Sequence, residues 1–277
     1  MERKNMIGFQ GVAGSFSEAA LNSYFGGDTV RQAYGEFEDV FAALEKGEIA
    51  YGVLPLENSS TGAVSAIYDL LLKYGFYIKG ESYVRIRQCL IGLPGASEAE
   101  IREVYSHPQG LAQCSDFLKE HTGWKLIPYS NTAASVTYIK GENDPAKAAI
   151  ASRDAARLYG MHIIKDGIND NKDNTTRFVI IGKDSSPAPG ADKASIIISL
   201  ENEAGNLCKL LGFFAENNIN LVKIESRPIK GMRWKYVLYL DFEGHIYDSS
   251  VVKALELTAS SAAYFRLLGA YRKAEEA

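Results

Sequence analysis

Asn174-Thr175-Thr176-Arg177-Phe178 runs straight into Val179-Ile180-Ile181-Gly182, so two hydroxyls and a guanidinium stand at the mouth of an apolar strand. Open α/β sheets bind their ligands at such strand ends. Threonine alone is an ordinary strand residue, but a packing strand has no need of Thr175, Thr176 and Arg177 together. Strand alternation puts Thr176 and Phe178 on one face and Thr175 and Arg177 on the other. A threonine is a poor acid, so Thr176 would act through a positioned hydrogen bond or a relay rather than by ionising.

Four loops add to this. Residues 11–18, Gly-Val-Ala-Gly-Ser-Phe-Ser-Glu, follow a strand and contain Ser15-x-x-Glu18, a capping box. Glu57-Asn58-Ser59-Ser60-Thr61-Gly62 separates an apolar strand from an apolar helix. Ser106-His107-Pro108-Gln109 reads as a helix start, with Ser106 as cap, Pro108 in the first turn and Gln109 at the box position. Tyr129-Ser130-Asn131-Thr132 precedes a further helix. A helix start presents unpaired N–H groups and a positive dipole end. Four of them with Thr176 and Arg177 imply a cleft for a small anion with more than one carboxylate or phosphate. No loop matches a P-loop, and Gly8-x-x-Gly11-x-x-Gly14 lacks dinucleotide spacing. Ser15, Asn58, Ser59, Thr132 and Thr175 are the uncharged candidates for orienting the ligand. Glu57 and His107 are the alternative acids. Burial could raise the Glu57 pKa, or its carboxylate could simply accept from loop amides. An unperturbed histidine titrates near neutrality, but a first-turn position disfavours a cation, which suits His107 to a structural donor role.

The elements that must position these groups follow from periodicity. Strand patterns fall at 6–9, 49–56, 83–93, 103–105, 124–129, 148–151 and 177–182, alternating with helices at 16–25, 37–46, 61–74, 107–121, 132–139 and 152–159. That alternation implies an α/β fold. Residues 185–193, Ser-Ser-Pro-Ala-Pro-Gly-Ala-Asp-Lys, form a linker. It divides a domain over 1–184 from one over 194–277. The second reads as strand 194–200, helix 205–216, strands 219–227 and 233–243, helix 250–262 and strand 264–271, which is βαββαβ, the ferredoxin-like plan. Trp234, Tyr236, Leu238, Leu240 and Phe242 alternate along one face, as in a half-covered antiparallel strand.

With 277 residues, 46% of them hydrophobic, the chain can bury two cores. A net charge of −4 without a basic run argues against nucleic acid or an anionic membrane as partner. No signal peptide or membrane span is visible, and three scattered cysteines fit a reducing, cytoplasmic setting. The four histidines match no metal spacing, so neither metal nor cofactor is expected.

These motifs, in this order, resemble prephenate dehydratase. They are Gly11-Val-Ala-Gly-Ser-Phe-Ser, Leu54-Pro-Leu-Glu-Asn-Ser59, Ser106-His-Pro-Gln, Asn131-Thr-Ala and Thr176-Arg-Phe178. Glu225-Ser226-Arg227-Pro228 resembles the ACT domain that regulates that enzyme. The resemblance implies two α/β subdomains like a type II periplasmic binding protein, with the site between them, and a ferredoxin-like ACT domain sensing L-phenylalanine. It implies conversion of prephenate to phenylpyruvate with loss of water and CO₂. Arogenate dehydration and non-catalytic anion sensing are the alternatives. Thr176, Arg177 and Phe178 would be catalytic, with Phe178 a wall for the ring. For Arg177 a salt bridge to the other subdomain and carboxylate binding both stay open. Gly205-Asn206-Leu207 stands where the family has Gly-Ala-Leu, and with Glu225–Pro228 would bind the effector. ACT sheets pair through their edges, so a homodimer or homotetramer is expected.

Overall fold

The computed structural model describes residues 6–275. The chain makes β1 (Ile7–Gln10), α1 (Phe16–Phe25), β2 (Arg31–Tyr34), α2 (Phe37–Lys46), β3 (Tyr51–Asn58), β4 (Gly62–Ala63), α3 (Ser65–Tyr74) and β5 (Tyr77–Arg85). It then crosses to a second unit with β6 (Gln88–Gly92), β7 (Glu103–Ser106), α4 (Pro108–Ala112), α5 (Ser115–Lys119) and β8 (Lys125–Pro128). That unit continues through α6 (Thr132–Glu142), β9 (Lys147–Ser152), α7 (Arg153–Tyr159) and β10 (His162–Lys165). β11 (Thr175–Gly182) returns and inserts antiparallel between β3 and β5. The sheet orders are β2-β1-β3-β11-β5, with β4 on β3, and β10-β6-β9-β7-β8. Two subdomains joined by two crossings result, the plan of type II periplasmic binding proteins.

The local causes are ordinary. α2 buries Val40, Phe41, Ala43 and Leu44 at helical spacing and ends on Gly47 in the left-handed region. β11 is buried along nearly its whole length because helices or a second sheet cover both faces, so it reads as an unbroken apolar run.

Three expectations are corrected. The pattern over 83–93 is two strands in different sheets, β5 and β6. Apolar Ile86 hides the crossing between them, and its N–H donates to the Asn174 carbonyl on the other crossing at 2.7 Å. The helix over 107–121 breaks at buried Cys114 into α4 and α5. The helix expected from 61 starts at Ser65, because Gly62 and Ala63 pair with β3 as β4. β4 has only two residues, and β2 and β10 are edge strands with no buried residue, so neither periodicity nor an apolar run reveals them.

The C-terminal region forms β12 (Lys193–Ser199), α8 (Asn206–Glu216), β13 (Leu221–Pro228), β14 (Tyr236–Glu243), α9 (Ser249–Ser261) and β15 (Tyr264–Tyr271). Its antiparallel order, β13-β14-β12-β15, is the expected βαββαβ plan. Ala194, Ile196, Ile198, Leu240 and Phe242 pack under α8 and α9. The other face is not open. Ile197, Val237, Tyr239, Leu268 and Tyr271 join one core with Leu71, Phe76, Ile78, Val179 and Ile181 of the first domain. β14 is therefore covered on both faces rather than one. Trp234, expected on its inward face, lies before the strand and is 78% exposed. The domains meet so closely that a Cβ on Gly269 would stand 2.0 Å from the Ile78 carbonyl oxygen.

Candidate active site

The end of β3 and the start of β11 are register partners, Thr176 opposite Asn58 and Arg177 opposite Glu57. Thr176 is 7% exposed and Asn58 is buried beside it. The Asn58 Oδ1 accepts from the Ser60 and Thr61 N–H groups at 2.9 and 3.0 Å. Those two backbone donors fix the amide's orientation, since only its oxygen can accept. Its Nδ2 must then face inward, where it donates to Thr176 Oγ1 at 2.9 Å and to Asn174 Oδ1 at 2.7 Å. Thr176 thus accepts from the protein, and its own hydroxyl hydrogen is committed to no acceptor among the described residues. Donation into a hydroxyl oxygen polarises it into a better donor.

Backbone and side chain clasp the loop around this pair. Ser59 N–H donates to the Thr175 carbonyl at 2.8 Å, and Thr175 N–H donates to Ser59 Oγ at 3.0 Å. Gln109 Nε2 reaches from α4 of the second subdomain to Thr61 Oγ1 at 3.0 Å, closing the gap between subdomains. Asn171 Nδ2 donates to Ser60 Oγ at 2.9 Å. Behind α4, a Cβ on Gly110 would meet the Thr132 methyl at 3.1 Å, so Thr132 stands next to α4.

Of the expected helix starts, α1 is capped by Ser15, which accepts from Glu18 N–H at 3.4 Å, and α6 by Asn131, which accepts from Ala134 N–H at 2.7 Å. The Gly11–Ser15 loop docks on the second subdomain, with Ser152 Oγ donating to the Gly14 carbonyl at 2.6 Å. The other two starts differ. α4 is capped by His107, whose Nδ1 accepts from Gln109 N–H, while Ser106 ends β7 and donates to the Ile150 carbonyl. α3 begins after Val64 with no side-chain cap.

Phe178 shares the face of Thr176, but its ring packs with Ile7, Phe9, Leu21 and Val53 and is 2% exposed. That makes it core rather than a wall for a ligand ring. Arg177 turns to the opposite face and is 5% exposed. Its Nε donates to Glu81 at 2.7 Å, Nη1 to Asp241 at 2.5 Å and Nη2 to the Tyr271 hydroxyl at 2.9 Å. Burial alone would lower the guanidinium pKa, but Asp241, Tyr271 and Glu81 hold it well above its ordinary value. Of its two open roles the geometry has the salt bridge, made to β5 and the C-terminal domain rather than to the other subdomain. Glu57 also faces away from the cleft, paired with Lys223 of β13 at 2.7 Å. A cavity of about 570 Å³ lies on this reverse face, lined by Glu57, Tyr83, Arg85, Arg177 and Lys223 among others.

Sequence reasoning missed the roles of Gln109, Thr61 and Asn174. In the sequence Gln109 reads as a capping-box residue, and only its reach across the gap to Thr61 shows the other role. Asn174 was adjacent to the leading motif, but its use as an acceptor depends on β3. In the C-terminal domain, Gly205 caps α8 from just outside it at φ +88° and Asn206 Nδ2 donates to the Glu201 carbonyl at 3.1 Å, while Leu207 is exposed. Glu225 and Ser226 lie on β13. Arg227 turns to Asp69 of α3 at 3.5 Å, and Pro228 ends the strand. Among the described residues no group of three His, Cys, Asp or Glu side chains could hold a metal, and no helix is long and apolar enough to cross a membrane.

Comparison with known proteins adds to this geometry. The family model described as prephenate dehydratase matches residues 7–186, and that of the ACT domain matches residues 194–256. A bifunctional chorismate mutase/prephenate dehydratase of Neisseria gonorrhoeae is 35% identical over 98% of this chain and 75% of its own. The crystal structure of an Arthrobacter aurescens prephenate dehydratase in complex with L-Phe is 31% identical with a TM-score of 0.88, covering 98% of this chain and 92% of that one. The structure of GqqA, described as a novel type of quorum quenching acylase, is 29% identical with a TM-score of 0.88, covering 97% and 98%.

Proposed function

The chain belongs to the prephenate dehydratase family and carries an ACT domain, and on that premise we propose that Thr176 is the hydrogen-bond donor to the hydroxyl that leaves. The protein is a carbon–oxygen lyase that converts prephenate to phenylpyruvate, with release of water and CO₂, under feedback by phenylalanine through the ACT domain. Prephenate is a dianion with a ring hydroxyl. As the ring carboxylate departs as CO₂, its bonding pair moves into the ring and expels the hydroxyl, which leaves as water if a proton is supplied. Aromaticity provides the drive. The protein must bind two carboxylates, hold the geometry and offer a donor at the leaving oxygen.

The observation that carries this reading is the orientation of Asn58. Locked by two backbone donors, it can only donate to Thr176, leaving that hydroxyl to donate outward. The N-terminal ends of α1 and α6, with Ser15 and Thr132, suit the substrate carboxylates. Ser59 and Thr175 hold the loop, and Gln109 with Thr61 spans the gap above it. Because Glu57 is drawn to the reverse face, none of these groups is anionic. That favours the keto acid over arogenate, whose ammonium would want a carboxylate. The same hydrogen bond disfavours an acylase reading, since an amide donor cannot deprotonate a threonine nucleophile. The open edge of β13, with Val222 and Ile224 exposed, supports pairing into a homodimer.

Thr176→Val keeps the side-chain shape and removes the donor. Its kcat for phenylpyruvate formation should fall by about 10²–10⁴ with little change in KM. Wild-type turnover in that variant would exclude Thr176 from the role. Tight binding of prephenate by the wild-type protein without any product would sink the lyase reading itself.

A further inference from the structure

Directly behind the Thr176–Asn58 pair lies a second cross-strand pair, Arg177–Glu57, on the reverse face of the same two strands. The C-terminal domain presents a matching pair of opposite charge, for Lys223 of β13 and Asp241 of β14 are register partners as well. Arg177 bonds Asp241 at 2.5 Å, and Glu57 bonds Lys223 at 2.7 Å. Two cross-strand pairs thus meet face to face with every charge opposed. Each pair sits beside a register shift, between Arg177 and Phe178 on one sheet and between Leu221 and Lys223 on the other. The β3–β11 ladder is interrupted there, while β11 keeps its register with β5 and the end of β3 pairs with β4. Side-chain contacts therefore add to the ladders in setting how the ends of β3 and β11 lie against each other. Further bonds reinforce the plate. Tyr271 accepts from Arg177, Ser195 donates to Asp241 at 2.5 Å, and Lys193 meets Glu81 at 2.9 Å.

We propose that Lys223 and Asp241 are positioning residues for the dehydration step, holding the ends of β3 and β11 from behind so that Asn58 and Thr176 stay aligned at the cleft. The proposal rests on the reading of Thr176 as the donor. None of the four back-face residues touches the substrate. Lys223 lies on the strand that continues into Glu225–Pro228, so a ligand that shifts that strand moves one half of the plate. Regulation by this route acts on turnover more than on affinity, because misalignment of a donor is felt at the leaving oxygen and not in carboxylate binding.

Glu57 is the most exposed of the four, so the Glu57–Lys223 arm tolerates a charge reversal best. The test is steady-state kinetics of the full-length chain carrying Glu57→Lys, Lys223→Glu, or both, with and without phenylalanine. Each single change should lower kcat about tenfold or more while KM moves less than about threefold. The double change re-forms this arm with its sense reversed but sets like charges opposite Arg177 and Asp241. Its kcat should therefore rise at least about threefold above either single change without reaching wild type, and the response to phenylalanine that the single changes blunt should return. Singles with wild-type kcat, or a loss that the double change does not relieve, overturn the proposal. If a reversed charge prevents folding, read by circular dichroism, Lys223→Met and Lys223→Arg carry the same expectation, with kcat lost in the first and recovered in the second. Wild-type kcat in the Met variant, or no recovery in the Arg variant, overturns it equally. Thr176→Val assayed in parallel separates the two readings. Full turnover there removes the donor assignment, whereas an inactive Thr176→Val beside fully active plate variants removes only the positioning role.

Discussion

Thr176 and Arg177 are neighbours in the chain and serve opposite faces of one strand. The front face needs an uncharged donor whose partner cannot take its proton, and the amide of Asn58 meets that need. Asn58→Asp would keep the shape and the two bonds from the Ser60 and Thr61 N–H groups. Its second oxygen could only accept, so the Thr176 hydroxyl would turn inward to it and away from the substrate. We expect kcat to fall by about a hundredfold or more with KM nearly unchanged; an active Asn58→Asp variant would show that the direction of this bond is immaterial. On the reverse face, Arg177 satisfies two buried carboxylates. Arg177→Met should destabilise the fold by about 3–5 kcal/mol, because Glu81 and Asp241 would lose a buried partner. Urea unfolding measures that, and a loss under about 1 kcal/mol would mean that water reaches the network. Alternation along 175–178 was legible in the sequence and proved the right guide. The partners of Arg177 were not, since Glu81, Asp241 and Tyr271 lie 96, 64 and 94 residues away.

Among the elements, the loop before α1 and the helix α5 show how local chemistry holds a segment in place. Gly14 sits at φ +83°, and a Cβ there would stand 2.8 Å from the Ala155 Cα on α7. Gly14→Ala should push the Ser15 loop off the second subdomain, raising KM and lowering the melting temperature together. A variant with an unaltered KM would show that this contact does not shape the carboxylate site. At the end of α5, His121 meets the Phe117 carbonyl and the Glu98 carboxylate, each at 2.8 Å, and stacks on Trp124. Burial opposes its charge, but those two acceptors outweigh it and raise the pKa above 6.5. A raised folded-state value stabilises the protein fully below about pH 6.5 and loses that stabilisation as pH rises through the folded pKa. Urea midpoints should therefore decline over that window in the wild type and flatten in His121→Gln. An identical profile in both would remove His121 as the cause. The cap at Ser15 was readable because a capping box links residues three apart, whereas the loop before α6 showed a helix start without singling out Asn131. The cap at α4 was misplaced by one residue, and α3 starts without one, since β4 pairing claims the residues that looked like its cap.

At the scale of the molecule, the βαββαβ order was legible because each strand alternates or runs apolar between turns, while the docking of that domain was not. Period-two patterning tells which residues share a face but not what covers it. Val237, Tyr239 and Asp241 read as the outer face of β14, and they pack instead on the first domain. The crossing at Ile86 was hidden for a related reason, because an apolar residue continues the pattern across a change of sheet. Sharing one core has a consequence for dissection at the linker. A chain ending at Ser186 would expose Phe76, Ile78, Val179 and Ile181 and strip Arg177 of Asp241 and Tyr271. Each large apolar side chain returned to water costs about 1.5–3 kcal/mol. A handful of them is comparable with the whole stability of a domain. The truncated chain should therefore melt well below the full-length protein, bind a hydrophobic dye and lose most of its turnover, even though every group proposed to touch prephenate remains. Calorimetry and phenylpyruvate assays on both chains decide it. A truncated form with unchanged melting temperature and kcat would mean that the first domain keeps its active strand in place unaided, and that the charged plate and shared core serve only to tether the sensor.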